Sequence, residues 1–508
     1  MLSGDPAIGS EDLDNLLFGD VIVSSASAPK FVINGKDVDI WSEEYNQYHS
    51  KSPVDYLREK ILSIEKTNKT PFPEIVGKTR EKELAIEGLF SGSPLLFKGR
   101  RGYGKTTFSK AIAKLLPDRL LAVKGCKIYD DPTRPTCFSC KRKVLSANSV
   151  ELTWVPRVWV RVPGDPMLTT RQLIGGISIQ KIREGVDLDD PEVFVPGRAL
   201  KANRGVGYFD ELGAIPTALQ TLLHELFEEG QVTTTEGDLV PFKISTLELA
   251  STNPANYRGT SPIKEPLLDR MEEIEIGPPE TLEEEIEIAR RNVYISRRFG
   301  QEPAIPEWHM KILSRTVRYG RDEHECAIAK KIQSEPSCRA TIKLFDHLIS
   351  KALRSGRQVP LLSDYGEDYE VVELGMTGRI ELEYGAKEDK KEVVRSLFQE
   401  AFKRTLKDIY DKIPASDFDN LYNSIIGLGE ASDDGSFISI NQDLVPKLRG
   451  SVDVLAVVKS LLPDGVRDDE TYLSAIEILL QAISMCSPKS VERQRGGYVI
   501  RRVTQNEA

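Results

Sequence analysis

The chain has 508 residues, a formal net charge of -10, 40% hydrophobic and 29% charged residues, which is too long for one hydrophobic core and too apolar for a disordered chain. No unbroken apolar run is long enough to cross a bilayer, no basic region precedes an apolar stretch at the N-terminus, and the acidic balance argues against a general nucleic-acid coat. The six cysteines, three of them close together, suggest a metal site or nothing rather than a disulfide framework, and the cytoplasm is the expected compartment.

Residues 1–55 read as an N-terminal arm, rich in Gly, Ser, Asp and Pro up to Lys30, with a short strand and turn at Phe31-Val-Ile-Asn-Gly. From about Pro53 a helical pattern runs into Phe72-Pro-Glu-Ile-Val-Gly. Across 56–280, β-rich runs alternate with helical stretches, as a parallel sheet with helices on both faces requires. The runs are Leu95-Leu-Phe, Trp159-Val-Arg-Val, Val206-Gly-Tyr-Phe and Leu247-Glu-Leu-Ala. The fold class is therefore α/β, followed by a helical lid over 281–360 and a mainly helical C-terminal domain over 361–508. In that last domain Tyr369-Glu-Val-Val-Glu-Leu and Arg379-Ile-Glu-Leu-Glu-Tyr alternate around Gly375 and Gly378, which predicts a β-hairpin. Further on, Val394, Leu397, Phe398, Ala401, Leu406, Ile409 and Ile413 share one helical face, as do Leu473, Ile476, Leu480 and Ile483.

Gly99-Arg-Arg-Gly-Tyr-Gly-Lys-Thr-Thr matches G-x-x-x-x-G-K-[ST], with a strand before it and an amphipathic helix after it. Glycines let backbone N–H groups turn inward around phosphates, and the helix N-terminus adds its positive end. Lys105 then reaches the β- and γ-phosphates of ATP, and the Thr106 hydroxyl ligates Mg²⁺. Val206-Gly-Tyr-Phe-Asp-Glu is an apolar strand ending in two carboxylates, the Walker B pattern. Asp210 is expected to hold the magnesium through water, and Glu211 to polarise the attacking water as general base.

The stretch from Phe194-Val-Pro-Gly-Arg-Ala-Leu-Lys-Ala-Asn-Arg-Gly to the Walker B strand resembles the ATPase subunit of magnesium chelatase and its MoxR relatives among the AAA+ ATPases. Gln172-Leu-Ile-Gly-Gly-Ile-Ser-Ile is similar to the segment entering that family's helix 2 insert, here about 168–203. Gln231-Val-Thr-Thr-Thr-Glu-Gly resembles the hairpin before sensor 1, and Ser251-Thr-Asn-Pro-Ala resembles sensor 1, with Asn253 near the γ-phosphate. Leu267-Leu-Asp-Arg resembles the arginine-finger segment, making Arg270 the matching residue and Arg258 its rival. Pro336-Ser-Cys-Arg-Ala resembles sensor 2, with Arg339 in that role. The likeness spans roughly Phe72 to Gln358 and departs from the family at Asn256–Lys264, in the charged stretch Arg318–Ser334, and after about residue 360. It implies a ring of subunits, expected to be hexameric, with Arg270 acting in trans on a neighbour's ATP. The implied nucleotide-binding set is Val76, Gly99, Gly102, Tyr103, Gly104, Lys105, Thr106 and Thr107.

Cys126, Cys137 and Cys140 lie in a Pro-rich loop within 124–145, and Cys137-Phe-Ser-Cys140 has the spacing of a zinc half-site. Cys126 is a third candidate ligand and Asp130 a fourth, with His324 and Cys326 as alternatives; free thiols or a Cys137–Cys140 redox pair are the other readings. The resemblance further implies a protein partner bearing a von Willebrand A domain, which is expected on another chain because Asp434-Gly-Ser-Phe-Ile lacks the second serine of its metal motif. True metal chelation is an alternative function. Another is a nucleic-acid motor using Arg100, Arg101, Lys141, Arg142 and Lys143, and a third is a nucleotide-gated scaffold, against which the intact Lys105, Asp210 and Glu211 argue.

Overall fold

The structure, a computed structural model, describes residues 21–186, 193–233, 243–254, 262–413, 424, 430–431, 437–441, 450–462, 468–486, 492–494 and 497–501. Chain contacts divide it into two units, Met1–Gly277 and Pro278–Ala508.

The first unit runs β1 (Lys30–Ile33), β2 (Lys36–Val38), α1 (Pro53–Glu65), α2 (Thr79–Ser91), β3 (Leu95–Lys98), α3 (Lys105–Ala113) and β4 (Arg119–Val123). It continues through α4 (Phe138–Ser146), β5 (Ser149–Pro156), β6 (Trp159–Pro163), β7 (Gly175–Ile177), α5 (Ile179–Arg183) and β8 (Phe194–Pro196). β9 (Val206–Asp210), α6 (Thr217–Glu229), β10 (Leu247–Thr252) and β11 (Glu272–Glu275) complete it. Five strands pair in parallel in the order β11-β3-β10-β9-β6. All four β-rich runs of this segment are among them, and β11 is the fifth. Every residue of β9 and β10 is buried, as strands covered on both faces demand. Alternation assigns the faces: Leu95 and Phe97 pack with Phe108 and Ile112 of α3, whereas Leu96 packs with Leu222, Leu223 and Leu226 of α6. β3 has neighbours on both sides, so its carboxyl end opens where the strand order reverses, the place open α/β sheets bind ligands.

A second sheet, β2-β1-β5-β4, joins the arm to the insertion that carries the cysteines. β1 pairs in parallel with β5, so Phe31, Ile33 and Ile40 share a core with Leu121, Val123, Cys140, Val150 and Leu152. The insertion is tied to the start of β9 by Arg204, whose guanidinium donates to the carbonyls of Leu121 (2.6 Å), Tyr129 (3.0 Å) and Tyr48 (3.1 Å) and meets the Asp131 carboxylate at 2.9 Å. Asn203 beside it donates to the Ile128 carbonyl at 2.9 Å.

Glu248 sits buried in β10, opposite Gly207 of β9, and burial pushes its carboxyl up to about 8 against the pull of its own backbone N–H. The unfolded chain releases this proton near pH 4.5, so folding stability falls as pH rises from there to about 8 and is flat above. Glu248→Gln removes that slope. We expect denaturant titrations to show the variant more stable than the unaltered protein by on the order of 2–4 kcal/mol at pH 8, with no such gain at pH 4.

The second unit contains α7 (Leu282–Asn292), α8 (Glu307–Tyr319), β12 (Ile332–Ser334), α9 (Cys338–Arg354), α10 (Glu370–Met376), β13 (Glu381–Leu382) and α11 (Lys390–Tyr410). β14 (Glu430–Ala431), β15 (Phe437–Asn441), α12 (Val452–Leu461), α13 (Asp469–Cys486), β16 (Glu492–Gln494) and β17 (Gly497–Arg501) follow. Segments 281–360 and 361–508 share one hydrophobic cluster running from Ala289 to Ile483. α13 is its central member: from Ser474 to Ile483 all but Gln481 are buried, so the helix is covered on nearly every side rather than on one face.

The hairpin expected at 369–384 is absent. Glu370–Met376 is helix, and only Glu381–Leu382 is strand, paired antiparallel with β12. Gly375 is not a turn glycine but a point of close helix packing, where a Cβ would stand 2.3 Å from Leu344 Cδ2 of α9. Burial of Val371, Val372 and Met376 against that cluster decides for helix over strand. Beside the β12-β13 pair, the antiparallel strands of this unit form the sheet β14-β15-β17-β16. No described helix is long and apolar enough to cross a membrane.

Candidate nucleotide site

The loop Gly99–Gly104 leaves the carboxyl end of β3 and enters α3 directly. Gly102 and Gly104 have φ of 88° and 100°, conformations that favour glycine, and Gly104 is the N-cap that turns the loop into the helix. At Gly99 a Cβ would lie 2.2 Å from the Ile276 carbonyl, so β11 admits only glycine there. The buried Lys105 Nζ donates to the carbonyls of Gly99 and Arg100 and, at 3.1 Å, to Asn253 Oδ1 beyond β10. The candidate Walker A lysine and sensor 1 asparagine are therefore in direct contact.

Thr106 and Asp210 are brought together through a third residue. Thr106 Oγ1 and Tyr208 OH are 3.3 Å apart, and Tyr208 OH donates to Asp210 Oδ1 at 3.0 Å. Ser251 Oγ donates to the same oxygen at 2.7 Å, and Arg161 Nε to Asp210 Oδ2 at 2.9 Å. Burial pushes the Asp210 carboxyl up, but the hydrogen bonds from Ser251, Arg161 and Tyr208 outweigh it and hold the group below its ordinary range. Burial and the Asp210 charge drive the Tyr208 phenol upward, so it stays a donor. A threonine hydroxyl and a carboxylate are the hard oxygen donors magnesium takes. With both Asp210 oxygens already hydrogen-bonded, bridging water is the natural link to such an ion.

Glu211 caps the strand in the left-handed region, φ 56°, with its N–H on Ser251 Oγ at 3.1 Å. Gly164 holds that turn in place, because a Cβ there would stand 2.1 Å from the Glu211 carbonyl. The Glu211 carboxylate receives Arg101 in a two-point contact, Nε to Oε1 at 3.0 Å and the second guanidinium nitrogen to Oε2 at 3.1 Å. Tyr208, Ser251, Arg161 and Arg101 were not expected in these roles. Tyr208 was within reach of sequence reasoning, since residues two apart on a strand share a face with Asp210.

The other candidates are spread wider. Val76 is part-buried in the loop before α2, Tyr103 packs against the core and Thr107 is exposed in the first turn of α3. Arg270 precedes β11, whose Glu272 pairs with Leu95, so it lies about six residues or roughly 20 Å of strand from Gly99, at the amino ends of the strands. It cannot serve its own chain's phosphate loop from there. It instead meets Glu228 Oε2 at 2.8 Å and the Pro266 carbonyl at 2.8 Å. Arg339, second residue of α9, is exposed in the other unit. Arg258 and most of the pre-sensor hairpin, 234–242, lie outside the described residues.

Comparison with known proteins bears on this arrangement. Over 230 residues the chain is 30% identical to the magnesium-chelatase 38 kDa subunit of Acidiphilium rubrum, covering 44% of this chain and 62% of that one. The chain is related to the AAA+ ATPase subunits of magnesium chelatase. The corresponding subunit of Cereibacter sphaeroides is 29% identical over 230 residues, 44% of this chain and 64% of its own. The chain thus spans under two thirds of the length of these curated relatives. No family profile matches it. A chain of the BchI–BchD complex of magnesium chelatase overlaps 64% of this chain and 98% of its own at 21% identity, with a TM-score of 0.32, too low to bear weight.

The chain carries a second cluster. Ligand atoms of Cys126, Asp130, Cys137 and Cys140 all lie within 4.8 Å of one another. Cys126 Sγ and Cys137 Sγ are 3.9 Å apart, close to the edge of about 3.8 Å that Zn–S bonds of about 2.3 Å give a tetrahedron. Hydrogen bonds from Cys137 and Cys140 draw the Cys126 thiol below its ordinary range, while the other two thiols are driven upward. Burial, then the Cys126 charge, pushes Asp130 up to about 6. Its carboxylate accepts from Thr136 N (3.1 Å), Thr136 Oγ1 (2.8 Å) and Cys137 N (2.8 Å), which fixes the loop that presents the cysteines. Neither His324 nor Cys326 belongs to this group.

Proposed function

We propose that the chain hydrolyses Mg-ATP as a ring motor that remodels a protein partner. The observation that carries this is the convergence of Lys105, Asn253, Thr106, Asp210 and Glu211 at the carboxyl ends of three adjacent strands, linked by Tyr208 and Ser251. In this reading the Gly99–Thr107 loop and Val76 bind the nucleotide. Lys105 contacts the β- and γ-phosphates, Asn253 contacts the γ-phosphate, and Glu211 orients and deprotonates the attacking water. Thr106 and, through water, Asp210 hold magnesium, which neutralises charge on the phosphates. Arg270 serves a neighbouring subunit's ATP, in keeping with its distance from its own loop, and Arg339 acts as sensor 2.

We extend the reading, on the motif resemblance alone, to a hexameric ring, a partner with a von Willebrand A domain and a cytoplasmic setting. The test is phosphate release: purified protein cleaves ATP with magnesium, and Lys105→Ala does not. Equal release by both proteins would sink the reading.

We further propose that Cys126, Asp130, Cys137 and Cys140 hold a structural zinc ion, supported by the thiol spacing. Elemental analysis of protein purified without chelator should find about one zinc per chain, lost in Cys137→Ser. A zinc-free native protein overturns it.

A further inference from the structure

Arg101 belongs to a basic pair that reads from sequence as solvated charge or a nucleic-acid contact, yet its guanidinium lies squarely on the Glu211 carboxylate. The Glu211 backbone has little freedom to leave: its N–H is held by Ser251, its φ is left-handed, and Gly164 packs against its carbonyl. Arg101, by contrast, is exposed and sits in the loop proposed to bind the phosphates. A guanidinium's planar fork makes two-point contacts with phosphate as well as with carboxylate. A carboxylate whose two oxygens are both engaged by a guanidinium is turned away from any water it would have to orient.

Resting on the ATPase reading, we propose that Arg101 is a catalytic residue that exchanges Glu211 for the γ-phosphate. The terminal phosphate draws the guanidinium away, and the freed Glu211 turns to the attacking water. ADP has no γ-phosphate and leaves the Arg101–Glu211 pair closed. The exchange therefore couples the presence of cleavable nucleotide to the availability of the base. It also makes Arg101 part of the discrimination between ATP and ADP.

A double-mutant cycle on the full-length protein tests this, with ATP and ADP affinities measured by calorimetry in magnesium at a temperature where turnover is negligible. Glu211→Gln removes the competing charge, so it should bind ATP roughly three- to tenfold tighter than the unaltered protein, with ADP affinity unchanged. Arg101→Ala should weaken ATP by about tenfold, spare ADP, and abolish the gain from Glu211→Gln. Arg101→Lys, keeping charge without the planar fork, should fall between. Because both side chains reach solvent, the thermal midpoint serves as the folding control. If Glu211→Gln gains as much ATP affinity with Ala at position 101 as with Arg, or if ADP shifts equally, the exchange is wrong while the ATPase reading stands. If the unaltered protein binds no ATP, the ATPase reading itself falls and takes the exchange with it.

Discussion

Glu211→Gln should bind Mg-ATP and leave it almost uncleaved, with kcat reduced by about 10²–10⁴. The size of the effect follows from position. Glu211 is the residue after the β9 terminus, beside Asp210, and its carboxylate is the proposed base once Arg101 departs. Asp210 cannot substitute, since Tyr208, Ser251 and Arg161 occupy both of its oxygens. Gln keeps shape and hydrogen bonding but cannot take a proton, so binding survives where cleavage does not. Single-turnover kinetics beside nucleotide-binding titrations separate the two. A variant that still turns over within threefold of the parent would remove Glu211 from the mechanism. The trapped variant is also the right bait for a partner, because the nucleotide-bound form persists.

Arg204→Ala should cost about 3–5 kcal/mol, the usual penalty for stranding half of a buried ion pair. Both partners are nearly inaccessible, with side-chain exposures of 7% and 9%. The substitution leaves Asp131 charged without its counter-ion and removes the donor from the carbonyls of Leu121, Tyr129 and Tyr48. In a unit of this size the thermal midpoint should fall by about 6–20 °C. Burial pushes the Asp131 carboxyl up, but Arg204, Thr133 and the Ser50 N–H outweigh it and hold it below its ordinary range. The pair's stabilisation is therefore complete above that range and is lost as pH falls through the lowered value. Calorimetric scans should show the gap between variant and parent closing in acid. A midpoint within about 2 °C of the parent at neutral pH would mean that the insertion is held elsewhere.

The two substitutions probe different kinds of information in the chain. The glycine-rich loop after β3 and the strand that runs into Asp210 and Glu211 were legible because their geometry is local. A glycine-rich turn between a strand and a helix, and a carboxylate pair at a strand end, need only neighbouring residues to take shape. The four core strands were legible for a similar reason: continuous apolar runs such as Leu95–Phe97 have nowhere to lie but between two helical layers. The CxxC half of the cysteine cluster was equally a matter of spacing.

Other features depended on residues far apart in the chain. The apolar spacing of 369–384 fits a hairpin, but a cluster that includes Leu344 of α9 was waiting for Val371, Val372 and Met376, and burial there outweighs local alternation. Arg161 reached Asp210 because β6 and β9 pair in the register that sets it opposite Tyr208. Arg101 carried no sign of its partner, since 110 positions separate it from Glu211 and only the parallel arrangement of strands closes that distance. Sequence by itself determined the glycine-rich loop after β3 and the carboxylate pair at the end of β9, because those motifs shape their own backbone. Tertiary structure alone decided which charges oppose each other across the site, because strand order and register are set by the burial of whole faces and leave no mark on any short stretch of chain.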